Sequence, residues 1–188
     1  NLGLVFSANG VADGAGSRLT DLVRGNHGTL VNGPTWEPTP RGDIGLRLNG
    51  TSQYVVGPPL LPHPATGYTF GCWVRCDTAS GVRNATGNSG QGLGLVIAGS
   101  LALIWQTPTN LASSTDLILG RWHRVVCTQD NVTARMYQDG RLVGSLSRSV
   151  PIGTPTFWLG DDSTASGRFW LGHVGGFFYS SVAVDAAW

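Results

Sequence analysis

Lysine is absent from this 188-residue chain, and glutamate occurs once, at Glu37. Charged residues make up 12% of the sequence, about half the ~25% of an ordinary soluble domain. Twelve scattered arginines face ten aspartates and that single glutamate, for a formal net charge of +1. This leaves no basic stripe for nucleic acid and no polybasic patch for an anionic membrane. Long apolar runs are missing too. The longest, Leu93 to Trp105, is broken by Gly94, Gly99 and Ser100 and falls short of the ~20 residues a membrane helix needs, so no membrane insertion is expected. The opening Asn1-Leu2-Gly3-Leu4-Val5-Phe6 reads as a strand. It has no basic flank and no long apolar core, so a signal peptide was either removed or never there. There are three cysteines, Cys72, Cys76 and Cys127. On an extended chain the first two stand about 13 Å apart, too far for a disulfide. Buried, reduced thiols are the expectation, with a Cys127 disulfide as the alternative. His27, His63, His123 and His173 are dispersed, without the paired spacing of a zinc site.

What the chain does have is glycine, 28 residues, and enough apolar material, 41%, to fill a core. Alternation dominates its patterning. Ile44, Leu46 and Leu48 share one parity; so do Tyr68, Phe70, Cys72 and Val74, then His123, Val125 and Cys127, then Ala134, Met136 and Gln138, then Leu142, Gly144 and Leu146. His123 falls on the inward side and is expected as a core histidine. Asp139-Gly140 between two such runs is the strongest hairpin signal, because a two-residue type I′ turn needs positive φ at both positions. Asp77 to Gly92 and Gly57 to Gly67 read as long loops. No linker divides the chain, so residues 1–188 form one all-β domain, an antiparallel two-sheet sandwich or jelly roll.

Several segments in order carry a family resemblance. They are Arg24-Gly25-Asn26-His27-Gly28-Thr29-Leu30 with Gly33-Pro34-Thr35-Trp36, Leu46-Arg47-Leu48-Asn49-Gly50 with Tyr54-Val55, and Tyr68-Thr69-Phe70 with Trp73-Val74-Arg75. Further on come Arg121-Trp122-His123-Arg124-Val125, Tyr137-Gln138-Asp139-Gly140-Arg141-Leu142-Val143, Leu159-Gly160-Asp161-Asp162 and Gly172-His173-Val174. Together they resemble the laminin-G-like, concanavalin A-like jelly-roll superfamily over essentially the whole chain. The resemblance implies two antiparallel sheets packed face to face. It leaves function open, since such folds host lectins, adhesion modules, virion proteins and glycoside hydrolases.

The retaining glycosidases of that superfamily carry a Glu-x-Asp-x-Glu strand, because two carboxylates must flank the bond they cleave. One glutamate cannot supply this, and no Gly-x-Ser-x-Gly nucleophile elbow occurs. The expectation is therefore that the chain is not an enzyme and requires no cofactor. The resemblance implies calcium at the rim, and oxygen-rich loops offer it Asp161 and Asp162 with Ser163, or Asn9, Asp13 and Asp21; the competing reading is turn aspartates bonded to their own backbone. Trp36, Trp105 and Trp158 are the candidate sugar platforms, against a packing role for each.

Both parities are apolar in Leu93–Ala98 and Leu101–Trp105. In Phe169–Tyr179 the family pattern turns Trp170, Val174, Phe177 and Tyr179 inward. That leaves Phe169, Leu171 and Phe178, with Trp73, as a candidate apolar interface; loops folding over these faces would remove it. The resulting expectation is a structural or adhesive module of a surface assembly, extracellular or on a virion as a decoration or tail-associated protein, with a protein partner or self-association and glycan binding besides. A secreted calcium-assisted lectin is the alternative.

Overall fold

The computed structural model describes residues 17–38, 44–60, 65–88, 92–106, 109–151, 153–162 and 167–184, and residues 2–5 by their backbone. In chain order the strands are β1 (Leu2–Val5), β2 (Arg18–Leu19), β3 (Gly28–Val31), β4 (Thr35–Pro38), β5 (Ile44–Asn49), β6 (Tyr54–Pro59), β7 (Gly67–Cys76) and β8 (Val82–Gly87). They continue as β9 (Gly94–Ala98), β10 (Ala102–Gln106), β11 (Leu111–Asp116), β12 (Trp122–Asp130), β13 (Thr133–Gln138), β14 (Arg141–Ser147), β15 (Thr156–Leu159) and β16 (Leu171–Ser180). No helix occurs among the described residues.

Two antiparallel sheets result. The first runs β14-β13-β12-β7-β16-β5-β4, with β1 also paired to β16; the second runs β11-β10-β9-β8-β15-β6-β3-β2. This is the expected jelly-roll sandwich. The two-residue period of a strand puts every second side chain between the sheets, so Tyr68, Phe70, Cys72, Val74 and Cys76 of β7 all enter the core. Trp170, Val174, Phe177 and Tyr179 join them; the odd step from Val174 to Phe177 is absorbed by a register shift between Gly175 and Phe178. Rings from the two sheets meet directly, Phe157 on Phe177 at 4.4 Å and Phe70 against the edge of Trp105 at 5.5 Å. Each such burial is worth roughly 1.5–3 kcal/mol.

Three segments depart from the reading of the sequence. The loop read from Gly57 to Gly67 begins inside β6, which runs to Pro59. The stretch taken as one loop from Asp77 to Gly92 contains β8, where Asn84 stands opposite Val96 and both are fully buried. Polar residues hid this strand. In β14 the parity assigned to Leu142, Gly144 and Leu146 breaks after Leu142, because Tyr137 pairs with Leu142 but Met136 with Gly144. The extra residue turns Val143 inward and leaves Leu142 on the surface, 55% exposed.

A polar cleft beside the Asp139-Gly140 turn

The loop joining β11 to β12 is fixed at four points. Leu117 is buried and its N–H donates to the Leu101 carbonyl at 2.9 Å. Residues 118–121 then form a tight turn, closed by Arg121 N–H on the Ile118 carbonyl at 3.1 Å, with Gly120 at φ +70°. Glycine at that third position suits a type II turn. Gly120 N–H reaches the Cys76 carbonyl at 2.8 Å, and Ile118 N–H donates to Nε2 of His123 at 2.9 Å.

His123 is buried where the sequence placed it, on the inward side of β12. Because Nε2 accepts a hydrogen bond, the ring proton of the neutral imidazole sits on Nδ1. That N–H donates to Oδ2 of Asp139 at 2.7 Å. Asp139 also accepts Arg124 N–H on Oδ1 at 2.9 Å, and its own N–H returns to the Arg124 carbonyl at 2.8 Å. With φ +51° at Asp139 and +81° at Gly140, the type I′ turn forms as expected. One carboxylate thus locks a hairpin turn to a histidine, and the histidine locks the neighbouring loop.

Between these two supports lies a cleft of about 500 Å³. Ile118 and Leu142, each more than half exposed, form its apolar rim. Arg121, Arg141, Asp116 and Thr115 supply exposed polar groups. Neither arginine makes an ion pair among the described residues, and nor does Asp116. At the base, Gln138 gives its Nε2 to the Asp116 carbonyl at 3.2 Å, while its Oε1 is buried without a partner. Two arginines and two aspartates balance, so the cleft is polar without a net charge. Sequence reasoning found the turn and the histidine but not the cleft, which depends on the bulge that turns Leu142 outward.

The three candidate tryptophans go elsewhere. Trp105 is fully buried, its Nε1 donates to the Gly92 carbonyl at 2.7 Å, and the Arg148 guanidinium covers its ring at 3.9 Å. The inward parity of β10 makes it a core residue, which corrects the platform expectation. Trp36 packs against the edge of the core. Trp158 faces outward on β15 but stacks on Tyr54 at 5.1 Å and 14°, with Phe169 next to Tyr54 at 6.3 Å. Trp158 and Tyr54 each give one ring face to this stack.

The expected apolar interface is corrected at one position. Phe178 covers Gly71 and is only 9% exposed, whereas Phe169 beside β8 of the second sheet, Leu171 against Gly50 and Trp73 against Gly176 are half-buried. Asp161 and Asp162 are buried. The Asp161 carboxylate accepts Arg168 N–H at 3.1 Å and Gly167 N–H at 3.4 Å, the work of a turn aspartate. Asp21 does the same for Val23, Arg24 and Asn26. Asn9, Asp13, His63 and Ser163 lie outside the described residues. No three His, Cys, Asp or Glu side chains come together among the described ones.

Glu37 is part of β4 and accepts Nε2–H of the buried His173 at 2.7 Å. That hydrogen bond, ahead of the nearby positive charges, holds its carboxyl below the usual range. All three cysteines are free and buried. Burial pushes the Cys72 thiol up to about 12 and Cys127 upward likewise, so neither forms a thiolate nucleophile.

A comparison with curated protein sequences returns no match. Among solved structures, the receptor-binding domain of botulinum neurotoxin C/D mosaic serotype is similar at 12% identity and a TM-score of 0.73, over 99% of this chain and 49% of that one. Domain 4 of an extracellular arabinanase from Geobacillus stearothermophilus, in complex with arabinotriose, is similar at 14% identity and 0.70, over 100% of this chain and 95% of that one. A Trypanosoma rangeli sialidase in complex with sialic acid matches at 18% identity and 0.72, over 99% of this chain and 31% of that one. The chain therefore spans about a third of the sialidase and half of the neurotoxin domain. The sialidase matches overturn the expectation that the protein is not an enzyme, since the same fold forms part of chains that are sialidases. A match over a third of their length does not establish catalysis. The concanavalin A-like fold is thus shared with structures that hold carbohydrate. The model of the concanavalin A-like lectin/glucanase superfamily matches residues 49–187, and the chain belongs to that superfamily.

Proposed function

We propose that this domain binds carbohydrate in the cleft beside the Asp139-Gly140 turn and works outside the cell or on a particle surface. The observation that carries the reading is the juxtaposition of unpaired Asp116, Arg121 and Arg141 with the apolar rim of Ile118 and Leu142. Neighbouring sugar hydroxyls donate to a carboxylate and accept from a guanidinium at once, and the C–H face of the ring rests on apolar carbons. Separated charges in a neutral cleft suit such a ligand better than an ion. The carbohydrate complexes of the arabinanase domain and the sialidase, and the report that botulinum neurotoxin type C enters cells through two gangliosides, support the same class of ligand. A surface-assembly component docked through Phe169, Leu171 and Phe178 loses Phe178, which is buried.

A glycan array followed by calorimetry tests the reading. Asp116→Ala and Arg141→Ala should each weaken the best array ligand at least about tenfold, the worth of one charge-assisted hydrogen bond. Unchanged affinity in both variants, or no ligand on the array, overturns it.

A further inference from the structure

The histidine beneath the cleft has a contact that only one protonation state permits. Nε2 of His123 accepts Ile118 N–H at 2.9 Å, while Nδ1–H donates to Asp139 at 2.7 Å. An imidazolium carries hydrogen on both nitrogens. A proton taken from solvent onto the Nε2 lone pair would face the Ile118 N–H directly, two donors with no acceptor between them. The ring cannot turn aside, since it is buried and Asp139 anchors its far side. Asp139 stabilises the charged ring, so the contact that yields is the one to Ile118. Ile118 begins the turn that carries Arg121 and forms one wall of the cleft.

The groups around His123 leave this contact in control. Asp139 comes from the β13–β14 turn, Asp116 from β11, Arg121 from the β11–β12 loop and Arg141 from β14. Behind the ring, β7 offers Val74 opposite His123, and the nearby Cys76 thiol is raised by burial and stays neutral. None of them is hydrogen-bonded to Nε2, whose partner is the Ile118 N–H; the unpartnered Oε1 of Gln138 also lines the cleft.

We propose that His123 is a proton-operated latch: protonation of Nε2 breaks its bond to Ile118 N–H, loosens the cleft wall at Ile118 while Gly120 stays held to the Cys76 carbonyl, and releases a glycan held at neutral pH. The release rests on the carbohydrate reading, whereas the opening of the latch does not. Histidine alone among side chains ordinarily changes charge between about pH 5 and 8. The test follows the Ile118 amide by NMR hydrogen exchange from pH 7.5 to 5, with Kd for arabinotriose and for sialic acid measured at both ends. Exchange rates are corrected for the intrinsic pH dependence of the amide.

The expected result is loss of Ile118 protection in acid, with affinity falling at least about tenfold, or ~1.4 kcal/mol. In His123→Gln the Oε1 accepts Ile118 N–H and the Nε2 donates to Asp139 at every pH, so protection and affinity should both stay flat. An Ile118 amide that remains protected at pH 5 in the wild type overturns the latch, whether or not the variant folds. Lost protection with unchanged affinity overturns release. Binding of neither sugar at any pH, together with no ligand on the glycan array, overturns the carbohydrate reading and release with it, while the amide signal still decides the latch.

Discussion

Glu37 and His173 pair across the outer side of the first sheet, and the pair makes stability depend on pH. The hydrogen bond from His173 holds the Glu37 carboxyl below its usual range. A carboxyl depressed by folding contributes stability that is fully present above its unfolded pKa, ~4.3, and lost as pH falls through the lower folded value. Glu37→Gln should therefore destabilise the protein at pH 7 and approach the wild type as pH falls below ~4.3 and through the lower folded value, read from urea midpoints across that range. A difference that persists unchanged into acid would assign the effect to packing. The sequence marked Glu37 only as the lone glutamate, because its partner lies 136 positions away on β16 and no local spacing joins them. Trp105 shows a second limit. With both parities of Leu101–Trp105 apolar its inward side was not readable, and its indole nitrogen finds the Gly92 carbonyl only once β9 and β10 are paired.

Among the elements, the hairpin from β13 to β14 was the most legible, since Asp139-Gly140 has local chemistry that only one turn satisfies. Its consequences reach further than the turn. Removing the Asp139 carboxylate strips the acceptor from both His123 and Arg124 N–H and leaves a non-glycine residue at φ +51°. Asp139→Ala should cost roughly 3 kcal/mol, from two unsatisfied donors and a positive φ, measured by urea unfolding at pH 7. A loss below about 1 kcal/mol would mean that the turn does not hold its neighbours. The strands that escaped reading share one cause. β8 buries Asn84 and Thr86, so its composition is that of a loop, and the β14 bulge inserts a residue that no alternation announces. The cleft was illegible for the same reason, as its rim depends on that bulge.

For the whole molecule, the scarcity of charge has a measurable outcome. With a net charge of +1 and a cleft whose arginines and aspartates balance, association should gain little from long-range attraction. Affinity for the best neutral oligosaccharide should change less than about twofold between 50 mM and 500 mM salt. A steep fall would instead mark an anionic ligand held by Arg121 and Arg141. The fold class was readable because alternation and turn chemistry repeat along the entire chain, each reinforcing the other. One short stretch couples the two layers. Asn84 N–H donates to the Arg168 carbonyl at 2.7 Å and the Arg83 guanidinium to the Phe169 carbonyl at 2.8 Å, beside β8 of the second sheet. Trp170 follows in the core with its Nε1 on the Arg75 carbonyl at 3.1 Å, and Leu171 opens β16 in the first sheet. Neither layer can peel away without dragging this strap out of the other, so heat or denaturant should melt both in a single cooperative step.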